Sequence, residues 1–275
     1  MEFTRNSLKK HGLSPDALLD QHFAVDEKML KSMIRAADLK KNDVVLEIGP
    51  GSGNLTRLLV KTGARVIAVE ADGRFRGILE ELKSERLDLV FGDGLEAMRR
   101  RKFSKIVSNI PYSICEALVR ASMRAPPEMI VITVPVGFSD TLMAKKGDMN
   151  FTKLTLYFRC FFDAKIISVL PKSAFYPEPK TQTALLKITP LKPAYYRKHK
   201  DVFIMREMFL HPGRKLKKTL MESLICWSRL SGKGLTKNES KKMVGTLPLK
   251  KSLLEKRVND LGLEELLLVR EKVNP

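Results

Sequence analysis

Four consecutive residues, Asn109-Ile110-Pro111-Tyr112, place a side-chain amide, a backbone carbonyl and an aromatic ring side by side. That set suits chemistry on an exocyclic amine such as that of adenine, a poor nucleophile because its lone pair is delocalised into the ring. Two acceptors aimed at its hydrogens favour the pyramidal, nucleophilic form. Asn109 supplies a side-chain oxygen and Ile110 its carbonyl. Pro111 removes a donor and stiffens the turn, and Tyr112 presents a face for stacking on the base. The alternative is an Asn/Pro turn packed by a tyrosine.

A second chemical signal is Glu47-Ile48-Gly49-Pro50-Gly51-Ser52-Gly53-Asn54, a strand that runs into glycines and then a helix. Glycine permits the tight turn and lets a bulky ligand approach the backbone. The Gly49-x-Gly51-x-Gly53 spacing lacks the later glycine of a dinucleotide fingerprint, and Pro50 removes an amide donor. Both features fit a ligand without pyrophosphate, such as S-adenosylmethionine, better than a nicotinamide dinucleotide. Glu70 ends the next strand 19 positions after Gly51, where an acid can hold two ribose hydroxyls. Asp93, in Phe91-Gly92-Asp93-Gly94, follows the third strand and can accept from the cofactor's adenine amine, or serve only as a turn residue. Glu47 can orient the methionine-side ammonium, since a buried strand acid without a partner is costly.

The elements that position these groups alternate short apolar strands with amphipathic helices, the signature of an α/β sheet. Strands are expected at 44–48, 65–70, 87–91, 104–108 and 129–134, and helices at 26–37 (capped by Asp26) and 72–83. Three more strands are expected at 154–158, 164–169 and 183–188, forming an antiparallel edge. Beyond Pro190 the composition shifts. Residues 191–275 carry 20 Lys and Arg against 9 Asp and Glu, so +11 of the total formal charge of +19 falls there. Apolar positions at Val202, Met205, Phe209, Leu216, Leu220, Leu253, Leu254 and Val258 predict a small helical domain. Its charge, including Arg214-Lys215-Leu216-Lys217-Lys218, favours a polyanionic partner over a merely solvated face.

The same residues resemble the KsgA/dimethyladenosine transferase family of rRNA adenine methyltransferases, and are similar to the erythromycin-resistance rRNA methylases, from about Gln21 to Ile188. Asn109-Ile110-Pro111-Tyr112 matches the family's Asn-Leu/Ile-Pro-Tyr signature, Gly49 to Gly53 its methionine-binding loop, and Glu70 and Asp93 its ribose- and adenine-binding acids. Gln21-His22-Phe23 resembles the Gln-x-Phe element that packs at the cofactor. Phe175-Tyr176-Pro177-Glu178-Pro179-Lys180 resembles Phe-x-Pro-x-Pro-Lys, which makes Phe175 the second stacking wall for the target adenine. Lys180 is a candidate phosphate contact.

The resemblance implies a Rossmann-like, seven-stranded methyltransferase domain over 1–190 and a basic helical RNA-binding domain over 191–275. S-adenosylmethionine is the implied cofactor, held by Gln21, His22, Phe23, Glu47, Gly49, Gly51, Gly53, Asn54, Glu70, Asp93 and Asn109. The implied activity is N6-dimethylation of adenosines in small-subunit rRNA, with the immature small ribosomal subunit as partner. Departures from the family pattern mostly spare the methyl-transfer centre and alter surfaces that could select or grip RNA: Asp20 and Ala24 replace a Gly and a Leu, and Val134-Pro135-Val136-Gly137 replaces Gln-x-Glu. Open alternatives are adenine methylation of another RNA or of DNA, and a noncatalytic RNA-binding assembly factor. Cys115, Cys160 and Cys226 are too widely spaced for a disulfide framework or metal cluster. Without a long apolar run or leader, a cytoplasmic location is expected.

Overall fold

The computed structural model describes residues 2–16 and 20–273, which form two compact units, Met1–Met143 with Asp163–Pro190 and Ala144–Phe162 with Leu191–Pro275. The first unit begins with α1 (Glu2–Lys10), β1 (Phe23–Ala24) and α2 (Glu27–Ala37). Asp26 caps α2, its carboxylate accepting from the Met29 amide at 2.7 Å. The chain then alternates through β2 (Val44–Ile48), α3 (Thr56–Lys61), β3 (Arg65–Glu70), α4 (Arg76–Glu80), β4 (Leu87–Phe91), α5 (Gly94–Arg100), β5 (Lys105–Ser108), α6 (Cys115–Arg124), β6 (Met129–Pro135) and α7 (Val136–Met143). After α8 (Lys153–Phe161), which belongs to the second unit, come β7 (Phe162–Leu170), β8 (Phe175–Tyr176) and β9 (Thr183–Pro190).

Seven strands form one sheet in the order β4-β3-β2-β5-β6-β9-β7, with β2 to β6 parallel and β9 antiparallel to β6. The expected seven-stranded Rossmann-like fold with an antiparallel edge is therefore present. Val45, Val66, Ala68, Val107, Val131 and Leu185 pack with Met29, Leu30 and Met33 of α2 in the core. Central parallel strands are covered on both faces, which is why they read as unbroken apolar runs. The strand order reverses between β2 and β5, so the loops after these two strands diverge and open a crevice at the carboxyl ends.

Three expectations change. Residues 154–158 are helical, inside α8, not a strand. A short apolar run cannot separate a buried helix from a buried strand, whereas the capping box of Thr152 with Thr155 marks a helix start. The helix expected over 72–83 is a 3-10 turn at Gly73–Phe75 followed by the short α4. The N-terminal α1 was not expected; it buries only Thr4 and Leu8, one turn apart.

The second unit combines α8 with α9 (Pro193–Lys198), α10 (Lys200–Leu210), α11 (Leu216–Leu230), α12 (Lys237–Thr246), α13 (Lys251–Glu255) and α14 (Leu263–Lys272). Its centre is α10, whose Val202, Phe203, Ile204, Met205, Met208 and Phe209 are buried. Phe209 packs against Tyr157 and Phe161 of α8, at ring-centroid distances of 5.2 and 5.4 Å. No helix among the described residues is long and apolar enough to cross a membrane.

Candidate active site

The crevice at the strand switch is a cavity of about 780 Å³, bordered by Gly49, Gly51, Glu70, Asp93, Asn109 and Tyr112. Its floor is the glycine turn after β2. Gly51 has φ +51°, and a Cβ there would lie 2.7 Å from the Phe23 ring, so only glycine lets Phe23 close over the loop. Glu70, at the end of β3, holds the turn from the side. Its two carboxylate oxygens accept from the Gly51 and Asp72 amides, each at 2.9 Å. Burial pushes the Glu70 pKa up, and the two amide bonds oppose that shift.

Asp93 borders the cavity and also caps α5, its Oδ1 accepting from the Leu95 amide at 2.7 Å and the Glu96 amide at 3.3 Å. The turn reading of this residue therefore holds, with one oxygen completing the cap while the side chain stays beside the cavity. Gln21 donates to Asp72 Oδ2 at 2.9 Å and accepts from the Asp16 amide. Asp72, absent from the expected set, is gripped by Arg74, whose hydrogen bond holds the Asp72 carboxyl below its ordinary range. Its position before Gly73, in an acid-x-acid-Gly run, was a usable signal.

On the opposite wall, Asn109 is held at both ends. Its Nδ2 donates to the His22 carbonyl at 2.7 Å, and its Oδ1 accepts from the Thr133 hydroxyl at 2.6 Å. Ile110 is buried and borders the cavity, as do Pro111 and Tyr112. The Tyr112 hydroxyl is hydrogen-bonded to Thr183, and burial raises the phenol's pKa, keeping it protonated. The His22 ring lies against Tyr112, with centroids 5.9 Å apart and planes at 29°, and its Nδ1 is 2.9 Å from the Pro177 carbonyl. Asp20 accepts from the Ser113 amide at 3.0 Å, which ties the Gln-x-Phe segment to the turn after β5. Thr133 and Thr183 join the site only through long-range contacts, and nothing in their local sequence announced them, whereas Asp20 stands directly before Gln21 and borders the cavity with it.

Several expected residues do not border the cavity. Phe175 is one: the ring is 1% exposed, on β8 beside β1, and packs in the core with the α2 side chains. Its pairing with Ala24 turns the ring inward, so the second stacking wall assigned to it is not formed by Phe175 in this structure. Asn54 is a structural tie, with Nδ2 donating to Thr4 Oγ1 at 2.6 Å and to the Ala24 carbonyl at 2.7 Å. Gly53 sits over Leu82, away from the cavity, and Lys180 is exposed.

Glu47 lies beneath the turn, 1% exposed, with no hydrogen-bond partner for Oε2. Burial pushes its pKa up to about 8; the nearby Thr56 hydroxyl opposes the shift without hydrogen-bonding geometry of its own, and Glu70 adds to it.

Residues 17–243 match the family model described as ribosomal RNA adenine dimethylase. The chain is 34% identical over 217 residues to a Pyrococcus furiosus protein named "Probable ribosomal RNA small subunit methyltransferase A", covering 78% of this chain and 79% of that one. A Methanosarcina mazei protein of the same name is 31% identical over 271 residues, covering 98% and 96%. The crystal structure of a dimethyladenosine transferase from Plasmodium falciparum has a similar fold, with TM-score 0.60 and 23% identity, over 90% of this chain and 96% of that one. With the glycine turn, the strand-end acids and the Asn-Ile-Pro-Tyr wall assembled in one crevice, the chain belongs to the ribosomal RNA adenine dimethylase family.

Proposed function

We propose that this protein methylates the exocyclic amine of adenosines in small-subunit rRNA, to the N6,N6-dimethyl state, with S-adenosylmethionine as methyl donor. The observation that carries the reading is the meeting of the two loops at the strand switch. A Cβ on Gly49 would lie 3.5 Å from the Pro111 ring, so the glycine turn and the Asn109 turn share one crevice. Family membership and the relatives' names support the rRNA substrate class.

The chain's residues fit the cofactor. The close approach at Gly51 leaves bare backbone at the cavity floor, and Glu47 Oε2 is a buried acceptor that lacks a partner. Glu70 would hold the ribose hydroxyls through its remaining lone pairs, Asp93 the adenine amine, and Glu47 the ammonium, directly or through water. When bound, S-adenosylmethionine supplies an electrophilic methyl group on a sulfonium. Asn109 Oδ1 keeps one lone pair after its bond to Thr133 and accepts one hydrogen of the target amine; the Ile110 carbonyl accepts the other. Tyr112 positions the base by stacking. The second unit, with its excess of cationic side chains, would grip RNA phosphates.

The test is transfer from labelled S-adenosylmethionine to immature small ribosomal subunits, followed by nucleotide mapping, with Asn109→Ala alongside. Label in dimethyladenosine of the small-subunit rRNA is expected. Asn109→Ala should lower the single-turnover rate at least about 100-fold with cofactor affinity nearly unchanged. No label in dimethyladenosine of the small-subunit rRNA would overturn the reading, and an Asn109→Ala rate equal to wild type would remove Asn109 from the methyl-transfer step.

A further inference from the structure

We propose that Thr133 is a positioning residue for methyl transfer, acting through Asn109, an inference that rests on the activity proposed above. Thr133 is fully buried in β6 among Ile130, Val131, Ile132 and Val134. A hydroxyl in such a place costs stability unless its hydrogen is used. Here it is given to Asn109 Oδ1 at 2.6 Å.

The sheet register brings the two residues together. Ser108 of β5 pairs with Ile132 of β6, so the next residues along the two parallel strands, Asn109 and Thr133, come abreast. On its other side Thr133 pairs with Leu185 of β9. A residue anchored by neighbours on both sides has little freedom to move, and neither does its hydroxyl.

The amide of asparagine turns on a broad terminal torsion, and a single hydrogen bond leaves it a hinge. The His22 carbonyl can only accept, so it determines which end of the amide carries the NH2 group. The Thr133 hydroxyl then holds the opposite end and fixes the amide plane. One lone pair of Oδ1 is left for the target amine, in a direction set before the substrate arrives. Preorganised acceptors act on the chemical step because they need no rearrangement as charge develops.

Three variants separate this role from a purely structural one. Thr133→Val keeps shape and removes the hydroxyl; Thr133→Ser keeps the hydroxyl; Asn109→Ala/Thr133→Val removes both partners. Single-turnover transfer to immature small subunits is expected to fall about 10-fold in Thr133→Val. Cofactor affinity by calorimetry and the RNA KM should stay within about twofold of wild type. Thr133→Ser should recover most of the rate, and the double variant should be no slower than Asn109→Ala. Thr133→Val at the wild-type rate, or Thr133→Ser as slow as Thr133→Val, would overturn the inference. So would a double variant slowed by a further 10-fold, or about that, relative to Asn109→Ala. If Thr133→Val does not fold, Thr133→Ala against Thr133→Ser makes the same comparison. No transfer by the wild type would remove the proposed activity itself, and Asn109→Ala at the wild-type rate would remove the residue through which Thr133 acts; loss in Asn109→Ala with none in Thr133→Val removes only the role of Thr133.

Discussion

Glu47 shows how much one buried acid can couple stability to pH. Its folded pKa is about 8, against an ordinary 4.5, mainly because burial disfavours the charged form. Between these two values the unfolded chain has shed the proton and the folded chain keeps it. The native state therefore loses relative stability as pH rises through that window, by at most about 1.4 kcal/mol per pH unit, and the loss levels off above the folded pKa. Glu47→Gln removes the titration. The variant should gain stability over wild type progressively from about pH 5 to about pH 8, measured as urea midpoints. Parallel pH profiles for the two proteins would show that Glu47 does not titrate in this way. A cationic group bound beside Glu47 would favour its carboxylate, so the free protein is where the effect is largest.

At the scale of elements, the short β1–β8 pair decides what Phe175 does. Phe23 pairs with Tyr176 and Ala24 with Phe175, which puts Phe23 over the glycine turn and Phe175 into the core. Phe175→Ala should accordingly cost about 3 to 5 kcal/mol of stability, the usual range for an aromatic-to-alanine change in a core. Phe175→Leu keeps most of the apolar volume and should leave the RNA KM unchanged. A Phe175→Leu protein with wild-type melting temperature but a severalfold higher RNA KM would return the ring to the substrate. The element-level logic also explains Asn54. Its amide joins α1 to the segment carrying Phe23, so it reaches the cavity only by holding what covers it.

Across the whole molecule, charge is uneven, with +11 of +19 in the last 85 residues. The cations of this stretch are not equivalent. Arg214 is paired with Glu222, and Lys215 with Glu255 at 2.7 Å. Lys217 and Lys218 are exposed on the first turn of α11 while Leu216 and Leu220 anchor the helix in its unit. The proposed phosphate grip should thus depend more on Lys217 and Lys218 than on their neighbours. Replacing both with glutamine should weaken rRNA binding and flatten its log–log salt slope, by about 0.7 for every phosphate of single-stranded RNA that is no longer neutralised. Cofactor affinity should not change. Identical affinity and slope in a folded double variant would assign these lysines to solubility alone.

Much of the site was legible along the chain because its chemistry sits where strands end. The glycine turn, Glu70, Asp93 and Asn109-Ile110-Pro111-Tyr112 each follow a short apolar strand, and local pattern is enough to find a strand end. The excess charge and the apolar spacing of the last 85 residues were equally local. Other features depended on which distant segments meet. Residues 154–158 became helical because burial in the second unit and the Thr152 cap outweigh an ambiguous apolar run. The antiparallel β9 entered between β6 and β7, and its register with β6 set Thr133 and Thr183 behind the turn of Asn109 and Tyr112. Phe175 was drawn inward by pairing with a strand some 150 residues earlier. Hydrogen-bond partners such as Thr133 for Asn109 and Thr4 for Asn54 carry no signature in sequence, since any hydroxyl can donate or accept. Composition and spacing determined which groups were present for the chemistry; only the packed sheet decided which of them face the cavity and which hold the others in place.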